Sequence, residues 1–345
     1  MKTKIALIGF GTVGQGLCEI LLSKKEYLKS KYGFEARIVA ISDVIKGAVY
    51  CKEGLDIQQC LNLAKSGKSL EAYDNNCEKG WDSIRTIKET NADIICELTY
   101  TDVKTGEPAI THCKTAFDNG KPVVTSNKGP AALQYAEMQK LAIKNNVNFL
   151  IEGTVMSGTP VLNLVNGPLA GCEITAIKGI LNGTTNFMLS EMEAGMTYDA
   201  VLNKAQELGY AEADPTGDVE GFDAMAKVII LSNVVMSAGI SATEVDRQGI
   251  TNITPEMISD AKKENSRWKL IGSIKKVKDG IKASVKPEKL PLSHPLANIM
   301  GATNALTFTT DLLGDVTIIG AGAGKIETGY SILTDILKIH RENNK

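Results

Sequence analysis

Over the first 150 residues, short runs of consecutive apolar positions alternate with longer stretches in which apolar residues recur every three or four positions. The runs at 4–8, 37–41, 93–97, 122–125 and 147–151 predict strands, and the stretches 13–28, 55–66, 83–90, 107–119 and 131–145 predict helices. The strands show little polar alternation, as expected when helices cover both faces of a parallel sheet. That rhythm is the doubly wound α/β pattern. The segment 50–82, which carries Cys51, Cys60, Cys77 and an Asn75-Asn76 turn, reads as an extended connection within this domain.

Beyond residue 150 the rhythm changes. Glycine and threonine cluster at 152–159 and 182–185, helices are predicted at 187–193 and 198–209 with Gly209 as a stop, and 222–237 reads as a long buried helix. Residues 269–285 alternate as strands, and Pro287, Pro291 and Pro295 punctuate a loop. A strand at 315–319, a GAGAG turn at 320–324 and a helix at 329–341 complete the pattern. The predicted layout has three parts: a Rossmann-type doubly wound parallel sheet over 1–150, an α+β substrate and dimerisation domain over 151–310, and a strand–turn–helix over 311–345 returning to the first domain.

The 345 residues exceed what one hydrophobic core normally holds. Lys+Arg 38 against Asp+Glu 40 leaves a net charge of −2, with no positive excess to pair with nucleic-acid or membrane phosphates. No run of 18 apolar residues predicts a membrane span. The apolar start at 5–8 is soon cut by Gly9, Gly11 and Gly14, unlike a signal peptide. Seven scattered cysteines without a CxxC pair predict reduced thiols and a cytoplasmic protein. With three histidines (His112, His294 and His340), zinc catalysis and histidine triads are poorly supplied.

Gly9-Phe10-Gly11-Thr12-Val13-Gly14 follows the first predicted strand and opens the first helix. In that context the glycines allow a tight turn, a close approach of pyrophosphate and close helix–strand packing, while the helix N-terminus offers free N–H groups. Asp43 ends the second strand, where a carboxylate accepts the ribose 2′-hydroxyl of NAD and repels the 2′-phosphate of NADP. Lys46 nearby softens that preference, and a plain turn role for Asp43 stays open.

Lys128, in TSNKGP, follows the strand at 122–125, on the side of a doubly wound sheet where ligands bind. A second lysine, Lys227, stands four residues after Asp223 on a helix that is otherwise apolar. So placed, its ammonium is partly buried and needs a partner, and a lysine steered by a carboxylate can transfer protons. Glu212, Asp214 and Asp218 form an acidic rim before that helix, able to hold a substrate ammonium or merely to solvate the loop.

GFGTVG, TSNKGP, EGTVMSGTP, GILNGTTNF, GYAEADPTGDVEGFDAMAK and GAGAG occur in an order spanning nearly the whole chain, which closely resembles homoserine dehydrogenase in its short form, without a kinase or regulatory segment. The resemblance implies reversible NAD(P)-dependent interconversion of L-homoserine and L-aspartate 4-semialdehyde, a step toward threonine, methionine and isoleucine, by a homodimer. It assigns Lys227 as proton donor and acceptor, Asp223 as its orienting partner and Lys128 as an assistant near the nicotinamide. Glu212 binds the substrate amino group, with Asp218 beside it. Phe10, Thr12 and Val13 line the phosphate loop, and Thr99 and Gly324 touch the cofactor. Glu152 and the carbonyls of Val155, Ser157 and Thr159 form a loop for a monovalent cation, typically sodium.

Two rival readings use the same nucleotide fold. A phosphorylating aldehyde dehydrogenase needs a thiolate beside a base. Cys113 next to His112 reads as packing, and Cys172 has no histidine near it in sequence. A non-catalytic NAD sensor would need the glycine turn but not the two lysines.

Overall fold

The computed structural model describes residues 2–74 and 76–343, so Asn75 of the expected Asn-Asn turn lies outside the described residues. The chain divides into two units, one built from the residues up to Gly158 together with Gly324 onward, the other from Thr159–Ala323.

The first unit runs β1 (Thr3–Ile8), α1 (Thr12–Ser23), α2 (Lys25–Tyr32), β2 (Ala36–Asp43), β3 (Gly47–Tyr50), α3 (Ile57–Lys65), β4 (Glu78–Lys79), α4 (Ser83–Glu89), β5 (Ile94–Glu97), α5 (Ala109–Asp118), β6 (Val123–Thr125), α6 (Lys128–Leu133), α7 (Tyr135–Lys144) and β7 (Phe149–Leu150). Its sheet has the order β4-β3-β2-β1-β5-β6-β7. The five strands β2, β1, β5, β6 and β7 are parallel, and β3 and β4 extend the β2 edge in antiparallel fashion. Strand order reverses between β1 and β5, the switch point at which such sheets bind ligands. Ile5 and Leu7 of β1, Ile38 and Ile41 of β2 and Leu17 of α1 are buried in one core.

Two predicted helices are each split, at Lys24 (φ −104°, ψ 7°) and at Gln134 (φ −139°, ψ 29°), because neither backbone is helical there. The expected extended connection over 50–82 is instead structured by α3 and by the β3–β4 pairing. It also corrects the expectation of reduced thiols: Cys51 and Cys77, with Cα atoms 5.0 Å apart, form a disulfide across this segment, while Cys18, Cys60, Cys96, Cys113 and Cys172 are free. The pairing was illegible because the two cysteines meet only after β3 and β4 come together.

The second unit continues with α8 (Val161–Asn166), β8 (Ile174–Ile180), α9 (Gly183–Glu193), α10 (Tyr198–Glu207), α11 (Thr216–Val219), α12 (Phe222–Val235), β9 (Val245–Arg247), α13 (Pro255–Lys263), β10 (Ser266–Val277), β11 (Gly280–Pro291), β12 (Thr303–Thr310) and β13 (Gly314–Ala321). The chain then returns to the first unit as α14 (Lys325–Asn343). The six strands are ordered β13-β12-β8-β10-β11-β9, antiparallel except for β11–β9. Gly209 takes the left-handed conformation (φ 73°) past the end of α10, and the N–H of Tyr210 reaches back to the Ala205 carbonyl, the expected stop.

The expected proline loop is displaced. Pro287 lies inside β11, opposite Leu270, because β9 pairs only with Ala283–Val285 and leaves the rest of β11 as an edge that needs no N–H. The strand at the C-terminal end, β13, stays in the second unit as the hairpin partner of β12, so only the helix returns. The central strands β8 and β12 escaped the sequence pattern because their apolar runs are broken by Lys178, Gly179 and five threonines. Among the described residues, no helix is long and apolar enough to cross a membrane.

Candidate active site

In the first unit the glycine turn is built as its spacing requires. Gly9 has φ +100°, and a Cβ there would lie 2.9 Å from the N of Thr99. At Gly14 a Cβ would stand 2.9 Å from the Gly9 carbonyl oxygen. Gly11 faces open space and starts α1, whose first turn has neither a capping side chain nor an acidic residue. Uncapped N–H groups beside an open glycine fit a pyrophosphate. Thr12 is exposed and Val13 half-buried at this turn, whereas the Phe10 side chain is fully buried in the core. Phe10 therefore offers the turn only its backbone: its N–H donates to Asp43 Oδ2 at 2.7 Å.

Asp43 Oδ1 accepts the N–H groups of Ile45 and Lys46, both at 2.9 Å. Partial burial pushes its carboxyl up, but the N–H groups of Phe10, Lys46 and Ile45 and the Lys46 charge together hold it below the usual range. The result is an ionised carboxylate fastened to the turn, as recognition of a ribose hydroxyl requires. Lys128 is the first residue of α6, half-buried, after the cap Asn127 whose Oδ1 accepts the Gly129 N–H at 2.9 Å. Gly324, with φ +144°, precedes α14.

The segment around Glu152 is also specialised. Glu152 is buried, and its N–H donates to Asp335 Oδ2 at 3.0 Å. Met156 and Ser157 are consecutive non-glycine residues in the left-handed region (φ 57° and 53°), a strained arrangement that redirects the local carbonyls. Ser157 Oγ lies 2.7 Å from Thr328 Oγ1, and the Thr159 carbonyl accepts the Val161 N–H at 2.8 Å. Among the described residues no three His, Cys, Asp or Glu side chains gather as a metal site.

In the second unit Asn182 caps α9, its Oδ1 accepting the Thr185 N–H at 2.9 Å. Its Nδ2 donates to Asp218 Oδ1 at 2.6 Å and to Asp223 Oδ2 at 3.0 Å. Lys227, 7% exposed, donates from Nζ to Asp223 Oδ2 and to the Leu181 carbonyl, both at 2.7 Å. An ammonium has three protons, and these bonds commit two of them. Asp218 is pushed up from its usual range, first by burial and also by the Asp223 charge, against the Asn182 and Lys227 interactions that pull it down. Glu212 is not drawn into this cluster: it is exposed, and its carbonyl accepts a hydrogen bond from Gln206.

The sequence pattern thus found Lys227 and Asp223 but missed Asn182, which ties both aspartates to the start of α9; the GILNGTTNF segment was its one visible signal. Cys113 is fully buried and burial pushes its thiol well above the usual range, while the adjoining His112 faces Glu97. That removes Cys113 as the thiolate the aldehyde-dehydrogenase reading needs.

Residues 160–337 match the family model for homoserine dehydrogenase, and residues 1–97 that for glutamate/leucine/phenylalanine/valine dehydrogenase. The chain is 44% identical to the NAD(+)-dependent homoserine dehydrogenase of Pseudomonas canavaninivorans, over 98% of this chain and 96% of that one. The crystal structure of a homoserine dehydrogenase from Thiobacillus denitrificans superposes with a TM-score of 0.85 at 31% identity, covering 100% of this chain and 74% of that one. A hyperthermophilic archaeal homoserine dehydrogenase in complex with NADPH superposes at 0.84 with 31% identity, over 99% and 98% of the two chains. A glycine turn followed by an ionised aspartate, a buried lysine–aspartate pair and full-length relatives all agree: the chain belongs to the homoserine dehydrogenase family.

Proposed function

We propose that Lys227 is the proton relay with which this homoserine dehydrogenase interconverts L-homoserine and L-aspartate 4-semialdehyde. The observation that carries it is the buried ammonium gripped by Asp223 and the Leu181 carbonyl, with its third proton uncommitted. In the reducing direction that proton goes to the aldehyde oxygen, and in the oxidising direction the amine takes the hydroxyl proton back. NAD(P), when bound, gives or takes the hydride at its nicotinamide ring. Asp223 keeps Lys227 oriented, and Lys128 adds positive charge near the developing alkoxide. The exposed Glu212 takes the substrate ammonium, and Asp218 of the Asn182 cluster offers a second carboxylate. The glycine turn holds the pyrophosphate, Thr99 and Gly324 flank the cofactor, and Asp43 favours NAD; the Pseudomonas relative is named as NAD(+)-dependent. The NADPH complex of the archaeal relative is the reason to measure both nucleotides.

The Glu152 carboxylate and the carbonyls of Val155, Ser157 and Thr159 are all hard oxygen donors, a set suited to sodium. The strained Met156–Ser157 backbone supports a binding role for that loop. Our reading of the enzyme as cytoplasmic draws support from its five free cysteines, with the Cys51–Cys77 bond the feature pulling the other way. A homodimer is supported by β13, a sheet edge with Leu312, Leu313 and Ile319 exposed on or beside it.

The test is Lys227→Ala assayed with homoserine and each nucleotide. The variant should lose about a thousandfold in kcat with an unchanged cofactor Kd. Turnover near the wild-type rate would reject the relay, and tighter NADP+ than NAD+ binding by the wild type would reject the reading of Asp43.

A further inference from the structure

Beneath the cofactor end of the first unit lies a titratable pair that the reaction scheme leaves unused. Glu97, the last residue of β5, is fully buried, and His112 of α5 is 4% exposed. Nδ1 of His112 lies 3.2 Å from Glu97 Oε1. Burying a carboxylate and an imidazole together is costly unless each is hydrogen-bonded, and apolar residues could pack α5 on β5 without that cost.

The Glu97 carboxylate is held further. The same Oε1 accepts the hydroxyl and, at 3.4 Å, the N–H of Thr99. The Thr125 hydroxyl donates to the Glu97 carbonyl at 2.6 Å and accepts the Asn127 N–H at 2.9 Å. Asn127 Nδ2 then grips the carbonyls of Thr99 and Tyr100 at 3.2 and 3.0 Å, while its Oδ1 caps the helix that Lys128 begins. At the other end, the Leu98–Thr99 peptide lies against Gly9 so closely that no side chain fits there, and the Leu98 N–H donates to the Ile8 carbonyl at 2.7 Å.

We infer that His112 and Glu97 are positioning residues for the dehydrogenase reaction: through Thr99 and Asn127 they fix both the wall of the glycine turn and the start of the helix bearing Lys128. Both side chains are buried rather than open to a ligand. A pair serving only to dock α5 on β5 would have no reason to share Oε1 with Thr99, nor to offer Oε2 to the Thr125 hydroxyl at 3.4 Å, which in turn holds Asn127 and the cap before Lys128. The inference rests on the roles proposed above for the glycine turn and Lys128.

The experiment compares His112→Leu, His112→Asn, Glu97→Gln, Thr99→Val and Thr99→Ser, reading the Kd for NAD+ in the absence of substrate, kcat with homoserine, and Tm. Asn can place an amide N–H where His112 Nδ1 stands, whereas Leu fills the space without a donor. His112→Leu and Glu97→Gln should each weaken NAD+ binding about tenfold and lower kcat about tenfold, with His112→Asn restored to within about threefold of wild type in both. Thr99→Val, at a half-buried surface position, should reproduce the binding loss at an unchanged Tm, whereas Thr99→Ser, which keeps the hydroxyl that Glu97 accepts, should bind NAD+ as the wild type does; if the core variants do not fold, a Ser variant no better than Val overturns the inference. A lower Tm in His112→Leu with unchanged Kd and kcat would overturn the inference, as would an Asn variant no better than Leu. NAD+ binding is read without turnover, so failure of the homoserine assay in the wild-type protein would count against the proposed function and not against this brace.

Discussion

The carboxyl of Asp218 is pushed up by burial and by the neighbouring Asp223, so the folded chain holds its proton to a higher pH than the unfolded chain does. Between the unfolded value near 4 and the higher folded value, the native state binds more protons, and stability falls as pH rises through that window. At neutral pH the fold carries the whole cost of that ionised group, and below about pH 4 it carries none. Asp218→Asn, which still offers an oxygen to Asn182, should therefore raise Tm by roughly 2–4 °C at pH 7 and leave it unchanged near pH 3.5. Thermal melts at the two pH values check this, and an equal shift at both would contradict it. Residues at this scale were legible where their partners lie within one helical turn, as with Asp223 and Lys227. Asn182, 36 and 41 residues from the aspartates it joins, and His112, 15 from Glu97, were not, since no local pattern encodes a contact made by the fold.

At the scale of elements, the helix that starts at the glycine turn is itself braced. α14 crosses α1 where Gly329 meets Gly16: a Cβ on Gly329 would lie 2.6 Å from the Leu17 N and 2.7 Å from the Gly16 carbonyl carbon. Both obstacles are backbone, which cannot rotate aside. Gly329→Ala should cost about 1–3 kcal/mol of stability and weaken NAD+ binding, because α1 must shift and takes the phosphate turn with it. Urea unfolding and a nucleotide titration measure the two effects, and neither moving would refute the crossing as a constraint. Most strands and helices of the first unit could be read from the apolar pattern, since buried parallel strands are continuous runs. The antiparallel sheet of the second unit was harder. Half its strands, β8, β12 and β13, mix threonine with apolar residues, and Lys269 of β10 is fully buried, its ammonium donating to Asn186 Oδ1 and to the Ile299 carbonyl while burial pushes it down to about 8. A charged residue in a core strand is invisible to any hydrophobic pattern.

For the molecule as a whole, the exposed edge at β13 is the face on which the proposed second copy would pair. An eight-residue edge strand with Leu312, Leu313 and Ile319 each more than half exposed invites pairing with a second copy. Sedimentation at micromolar concentration should give a dimer for the wild type and a monomer for Leu313→Lys/Ile319→Lys, and a wild-type monomer would contradict the reading. The division into two units also carries a consequence for synthesis. The first unit needs Ile332, Leu333, Ile336, Leu337 and Ile339 of α14 to complete its core, yet those side chains lie beyond the whole of the second unit in the chain. As the polypeptide leaves the ribosome, β1 to β7 emerge first but their core stays incomplete until α14 follows, while the continuous stretch from Thr159 to Ala323 is free to fold ahead of it. In this protein the half that carries the glycine turn is begun first and finished last.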